Sequence, residues 1–135
     1  MKIFVGVLFL ILSYLVGSSP WGFIFGKLHG IDLRTVGSKN IGATNTGRIL
    51  GKKYAIFVYI LDMLKGFIFV FLYRYKIIPA EWCILNPMLY GLFAVLGHTF
   101  PIYIGFKGGK SVSCGSGAIA GYFPYYLPVA IGIFF

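Results

Sequence analysis

Apolar residues fall into four long runs, at about 3–25, 54–73, 82–100 and 113–134, separated by polar stretches at 26–53, 74–81 and 101–112. A span of about 30 Å of hydrocarbon needs roughly 20 helical residues at 1.5 Å each. The pattern therefore predicts an all-α, polytopic integral membrane bundle of about four transmembrane helices in a single membrane domain, 1–135, with glycine-rich loops that are polar or re-entrant. The first run is interrupted by Gly17-Ser18-Ser19-Pro20. Such a break is tolerated at membrane depth only where the freed backbone groups meet protein, water or ligand. The opening IFVGVLFLILSYLVG also resembles a signal peptide, with Val16 and Ser18 as a weak cleavage pattern. Continued apolarity through Trp21-Gly22-Phe23-Ile24-Phe25 favours a retained first span. The last run stops at Phe134-Phe135 without a flanking anchor, which reads as a truncated chain.

Composition agrees with the pattern. Hydrophobic residues make up 59% of the 135 and charged ones only 11%, against about 45–50% and 25% in soluble domains. The fourteen Phe and ten Tyr suit helix packing and interfacial belts. The net charge of +9 sits in short loops and forms no basic face of a folded domain, which argues against nucleic acid as partner. Anionic lipid head groups and phosphorylated substrates fit better. Loops one and three carry eight cations, whereas Lys2, Arg74 and Lys76 lie on the other side. The positive-inside bias places the glycine-rich loops in the cytoplasm and the N-terminus outside. Cys83 and Cys114 form no disulfide framework and share no metal-ligand spacing with His29 or His98. No metal or cofactor is expected.

The stretch Gly37-Ser38-Lys39-Asn40-Ile41-Gly42-Ala43-Thr44-Asn45-Thr46-Gly47-Arg48 concentrates the candidate chemistry. Glycines allow the backbone to approach a ligand and curl its N–H groups into an anion nest. Ser38, Thr44 and Thr46 add hydroxyls, and Asn40 and Asn45 add amides. Arg48 can clamp two phosphate oxygens. Thr44 or Asn45 could cap a helix whose N-terminus faces the anion. A polar turn between helices is the competing reading, and the Walker spacing is absent. A second loop, Lys107-Gly108-Gly109-Lys110-Ser111, offers the same combination of exposed backbone and charge, or else a simple positive-inside anchor. His98, at the membrane edge before that loop, is a candidate general base or donor, or a satisfied interfacial histidine. His29 reads as a solvated loop residue. Asp62 and Lys65, three apart inside an apolar run, are expected to pair on one helix face.

Four segments together resemble the bacterial acyl-phosphate:glycerol-3-phosphate acyltransferases, the PlsY family: GSSPWG at 17–22, GIDLRTVGSKNIGATNTGR at 30–48, LDMLKG at 61–66 and GHTFPIYIGFKGGKSV at 97–112. The resemblance implies a multi-pass enzyme of the bacterial inner membrane with a cytoplasmic active site. It implies transfer of a fatty acyl group from acyl-phosphate to the sn-1 hydroxyl of glycerol 3-phosphate, giving lysophosphatidic acid, the first step of phospholipid synthesis. It also implies an upstream acyl-phosphate-forming enzyme as a possible partner, and no metal. Ser38, Asn40 and Arg48 fall on the family's first motif. Gly108, Gly109 and Lys110 fall on its second, associated with glycerol 3-phosphate. Together with the loop chemistry this gives Ser38, Arg48 and His98 as catalytic candidates. Gly37, Ser38, Asn40, Gly42, Thr44, Asn45, Arg48, Lys107, Gly108, Gly109 and Lys110 are the phosphate-binding candidates. Lys39 and Ser111 stand where the family usually has Gly, and Ser113-Cys114 replaces the usual Ala-Thr. The family's third motif, with His, Asn and Glu, has no counterpart here, and of its seven or so spans about four are expected. The chain alone is therefore expected to be weakly active or inactive. A transporter of phosphate-bearing solutes and a non-catalytic membrane fragment are the alternatives.

Overall fold

The computed structural model describes residues 1–134; Phe135, the last residue of the expected 1–135 domain, lies outside the described residues. Among them the regular structure is helical: α1 (Lys2–Gly17), α2 (Trp21–Leu28), α3 (Ala43–Leu50), α4 (Lys52–Arg74), α5 (Pro87–Thr99), α6 (Val112–Tyr122) and α7 (Leu127–Phe134), with short 3-10 turns at Ala80–Trp82, Ile102–Ile104 and Pro124–Tyr126. Three runs are long and apolar enough to cross a membrane: Lys2–Leu28, Lys52–Arg74 and Pro87–Ile104, with mean hydropathies of 2.0, 2.2 and 1.3. The first combines α1 and α2 across the expected break at Ser18–Pro20. The third starts at Pro87, after an Asn86 cap whose Oδ1 accepts from the Met88 N–H at 2.9 Å. An N-cap followed by Pro at the first helical position fixes that start.

The stretch expected as a fourth span, 113–134, is not one helix. It divides into α6, the turn at Pro124–Tyr126 and α7. Pro124 interrupts it, and Phe123 takes the extended backbone that a residue before proline favours (φ −124°, ψ 85°), whereas Pro128 sits in the first turn of α7, where proline is tolerated. The eleven residues of α6 reach only about 16 Å. Apolar composition alone does not register that break.

Small residues let the helices close in. A Cβ at Gly66 would lie 2.0 Å from the Cys114 carbonyl oxygen, and one at Gly117 would lie 1.8 Å from that of Met63. Helices in lipid gain little from burying apolar surface, so close van der Waals packing along small faces does the joining. α1 and α5 run parallel, with Gly17 against Ala94 and Gly97 against Tyr14. Ser13 Oγ donates to the Tyr90 carbonyl at 2.6 Å, and the Tyr14 hydroxyl donates to that of Phe100 at 2.6 Å. α4 runs opposite to α1: Phe9, midway along α1, packs edge-on against Phe69 and Tyr73 near the end of α4, while Ser19, just past α1, accepts from Lys65 nearer the middle of α4. The Tyr59 hydroxyl donates to the Ala130 carbonyl and ties α7 to α4. By these directions α2, α3, the start of α4, the end of α5 and the start of α6 share one end of the bundle.

Candidate functional site

That shared end holds an open cavity of about 820 Å³ between α3 with its preceding loop, the end of α5 and the start of α6. Ser38, Asn40, Gly42, Thr44, Asn45, Arg48, His98 and Lys110 line it, with Lys52, Tyr59, Ser111 and Ser113. Among the described residues no carboxylate lines it. The acids of the chain are Asp32, Asp62 and Glu81, and two are occupied by cations elsewhere. Asp32 pairs with Arg34 at 2.8 Å and with Lys27 at 3.7 Å, while Asp62 pairs with Lys65 at 3.0 Å. Side-chain and then backbone hydrogen bonds from Arg34 hold the Asp32 carboxyl well below the usual range, so it stays ionised and keeps Arg34 engaged. Among the described residues, Arg48, Lys52 and Lys110 therefore face the cavity without an acidic partner.

The first loop is held in shape from inside. Asn45 is 1% exposed. Its Oδ1 accepts from the Ser38 N–H at 3.0 Å, and its Nδ2 donates toward the carbonyls of Asn40, Val36 and Leu33 at 2.8, 3.1 and 3.3 Å. Asn45 was expected to offer its amide to phosphate; the loop backbone takes it instead. Thr46 is also buried, its hydroxyl donating to the Gly42 carbonyl at 2.8 Å. Gly37 lies beneath the loop in a left-handed conformation (φ +58°), where a Cβ would come within 2.2 Å of Asn45 Oδ1. Its part is geometric and it does not line the cavity. The Gly42 N–H donates to Asn40 Oδ1 at 2.7 Å, so Gly42 also supports the turn, and the Asn40 amino group is what remains for a ligand. Gly42 caps α3 without any side-chain bond; neither Thr44 nor Asn45 is the cap. The N–H groups of a helix's first turn have no partner within the helix, and Ala43 and Thr44, in the first turn of α3, line the cavity. Replacing Asn45 with Ala would orphan three loop carbonyls and is expected to destabilise the protein by about 3 kcal/mol. Denaturant unfolding in micelles reads this, and an unchanged midpoint would contradict it.

The second loop differs more from expectation. Gly108 and Gly109 do not present their amides: these donate to the carbonyls of Thr99 at 3.0 Å and His98 at 3.1 Å. Both are glycines because the backbone passes directly over His98. A Cβ at Gly108 would lie 1.9 Å from the His98 carbonyl oxygen, and one at Gly109 would lie 2.4 Å from His98 Nε2. Lys107 is exposed and outside the cavity. Lys110 reaches it, and the Ser111 hydroxyl is joined to that of Thr99 at 2.6 Å. Lys52, which sequence reasoning counted only as a loop cation, belongs to the cavity. The sequence pattern carried no signal that set it apart from the other loop cations, because Gly51 (φ +106°) breaks the helical register between it and Arg48. His29, read as solvated, bonds the Phe25 carbonyl at 2.8 Å and the Tyr54 hydroxyl at 3.0 Å.

Lys39 and Ser111 are left-handed, with φ of 63° and 62°. These are the two positions where the resemblance points to Gly. An L side chain there costs about 1–2 kcal/mol. Lys39→Gly is expected to raise stability by about 1 kcal/mol, the remainder being lost to glycine's greater freedom when unfolded, whereas Ser111→Gly also forfeits the hydroxyl's bonds to Thr99 and the Val95 carbonyl and should bring no comparable gain. Unfolding midpoints in lipid micelles check this, and a fall in Lys39→Gly would contradict it.

The profile of the glycerol-3-phosphate acyltransferase family matches residues 7–135. The chain is 46% identical over 134 residues to a glycerol-3-phosphate acyltransferase of Staphylococcus saprophyticus, covering 96% of this chain and 66% of that protein. It is 45% identical to one of Desulfotalea psychrophila, covering 94% and 64%. It thus spans just under two thirds of the length of these relatives. Among solved structures, it superposes with a TM-score of 0.82 and 41% identity on PlsY, an integral membrane glycerol 3-phosphate acyltransferase, in its glycerol 3-phosphate form. That match covers 96% of this chain and 65% of the other. The lysophosphatidic acid form of PlsY gives 0.78 and 39%, covering 96% and 61%.

Proposed function

Because the chain belongs to the glycerol-3-phosphate acyltransferase family, we propose that its cavity takes part in transferring a fatty acyl group from acyl-phosphate to the sn-1 hydroxyl of glycerol 3-phosphate. The observation that carries this reading is a cavity that, among the described residues, has no carboxylate in its lining and three cations without an acidic partner, Arg48, Lys52 and Lys110. Both substrates bear phosphate. Arg48 can hold phosphate oxygens as a bidentate fork and the lysines as point charges. The first turn of α3, Ser38 and the Asn40 amino group supply further donors.

Acyl-phosphate is a mixed anhydride with a good leaving group, so positioning and charge stabilisation can supply most of the rate. The sn-1 oxygen attacks the acyl carbon, the bond from that carbon to the phosphate oxygen breaks, and inorganic phosphate departs. The hydroxyl proton passes to a substrate phosphate oxygen or to His98, which lines the cavity. In this reading Lys110 and Arg48 offset the charge that collects on the carbonyl and the leaving phosphate. An acyl-phosphate-forming enzyme must act upstream. The setting is the bacterial inner membrane, with the cavity cytoplasmic and the N-terminus outside, supported by the cations crowded at the cavity end.

Membranes carrying the chain are assayed for lysophosphatidic acid made from palmitoyl-phosphate and radiolabelled glycerol 3-phosphate. Product above background, lost in Arg48→Ala, supports the reading. Product unaffected by Arg48→Ala and Lys110→Ala together counts against it.

A further inference from the structure

The wall of the cavity formed by α6 carries a polar group that the reaction scheme above does not use. Ser113, the second residue of α6, lines the cavity and is only 9% exposed. Its hydroxyl has no hydrogen-bond partner among the described residues. Hydroxyls in helices commonly bond the carbonyl four residues back. Ser18, Thr46 and Thr99 do so, donating to Tyr14, Gly42 and Val95 at 2.8, 2.8 and 2.9 Å. For Ser113 the residue four back is Gly109, which lies before the helix in the glycine loop. Ser111 is also spoken for, joined to the Thr99 hydroxyl at 2.6 Å and donating to the Val95 carbonyl at 3.2 Å. Ser113 is therefore the buried hydroxyl of this wall that is left over. Buried polar groups are rarely left without a partner, and leaving one so is costly.

We propose that Ser113 is a substrate-binding residue, its hydroxyl donating to a phosphate oxygen held against the α6 side of the cavity. This deepens the acyl-transfer reading and rests on it for the ligand of the cavity. The surroundings select an acceptor. Lys110, three residues earlier, lines the same cavity. The first turn of α6 has no side-chain cap, so its end carries free N–H groups and partial positive charge. A group that only accepts hydrogen bonds and bears negative charge satisfies all three at once. Packing alone does not explain the serine, because alanine would fill the same space without burying a hydroxyl. The recognised group is a phosphate, which glycerol 3-phosphate and acyl-phosphate both present.

Stability and affinity should part company in Ser113→Ala. Alanine is the residue of the resembled pattern at this position, so the variant is expected to fold. The 135-residue chain in nanodiscs is titrated with radiolabelled glycerol 3-phosphate in one arm. In the other it is titrated with labelled inorganic phosphate at saturating unlabelled glycerol 3-phosphate, where inorganic phosphate stands for the head of acyl-phosphate. Ser113→Ala should weaken one arm by roughly tenfold, the loss of a hydrogen bond to a charged group, and the arm affected tells which substrate is held. The unfolding midpoint of the ligand-free protein should hold or rise. Ser113→Cys, close in size but a weak donor, should bind as poorly as Ser113→Ala. Unchanged affinity in both arms would overturn the proposal. So would full affinity in Ser113→Cys, or a midpoint that falls together with affinity, which marks a packing role. Binding that is lost in Arg48→Ala but untouched in Ser113→Ala would fault this proposal alone. An unmodified chain that binds neither ligand would fault the acyl-transfer reading and this proposal with it.

Discussion

Gly108→Ala is expected to lower glycerol 3-phosphate binding and any acyl transfer by at least roughly 100-fold. The added methyl would sit 1.9 Å from the His98 carbonyl oxygen and 2.7 Å from Pro101 Cδ. Neither neighbour is the free end of a flexible side chain, so the loop itself must move. It carries Lys110 at one end and closes over the His98 ring at the other. A displacement near 1 Å of groups aligned for reaction can cost about 100-fold. The effect should be local: helical circular dichroism and the unfolding midpoint should change far less than binding does. Binding of radiolabelled glycerol 3-phosphate to protein in nanodiscs measures it. Near-normal binding by Gly108→Ala would mean that the close passage over His98 is not what shapes the site.

Arg48→Ala is expected to weaken glycerol 3-phosphate by roughly ten- to a hundredfold, from the loss of a charge-assisted pair worth about 1.5–3 kcal/mol. Arg48 is exposed at the cavity and has no acidic partner among the described residues, so removing it leaves no buried charge behind. Stability should therefore hold. Lys at position 48 should restore only part of the affinity, because a point charge lacks the bidentate fork. Full rescue by Arg48→Lys in the same binding assay would show that net charge alone matters there.

Much of this was legible before the structure. Of the four apolar runs expected as spans, three coincide with runs long and apolar enough to cross a membrane among the described residues, and the polar break at Ser18–Pro20 divides the first as its residues suggest. Ser38, Asn40, Thr44, Arg48, His98 and Lys110 do converge on one cavity. What misled was composition taken without geometry. Glycines at 108 and 109 suggest exposed amides, yet their N–H groups are spent on Thr99 and His98, and the missing side chains make room for a histidine. Asn45 suggests a ligand donor, yet a fully buried amide with two kinds of hydrogen-bonding group is what a tight loop needs at its centre. The 113–134 stretch is apolar throughout, but it divides into α6 and α7 at Pro124. Lys39 and Ser111 are the converse case. Departures from the resembled pattern marked two positions whose backbone is left-handed in the structure.

The most direct measurement is saturable binding of radiolabelled glycerol 3-phosphate to the purified 135-residue chain in nanodiscs, with Arg48→Ala and Lys110→Ala alongside. The account predicts saturation, competition by inorganic phosphate, and a loss of affinity of roughly tenfold or more in each variant. Absence of saturable binding, or binding indifferent to both substitutions, would contradict it.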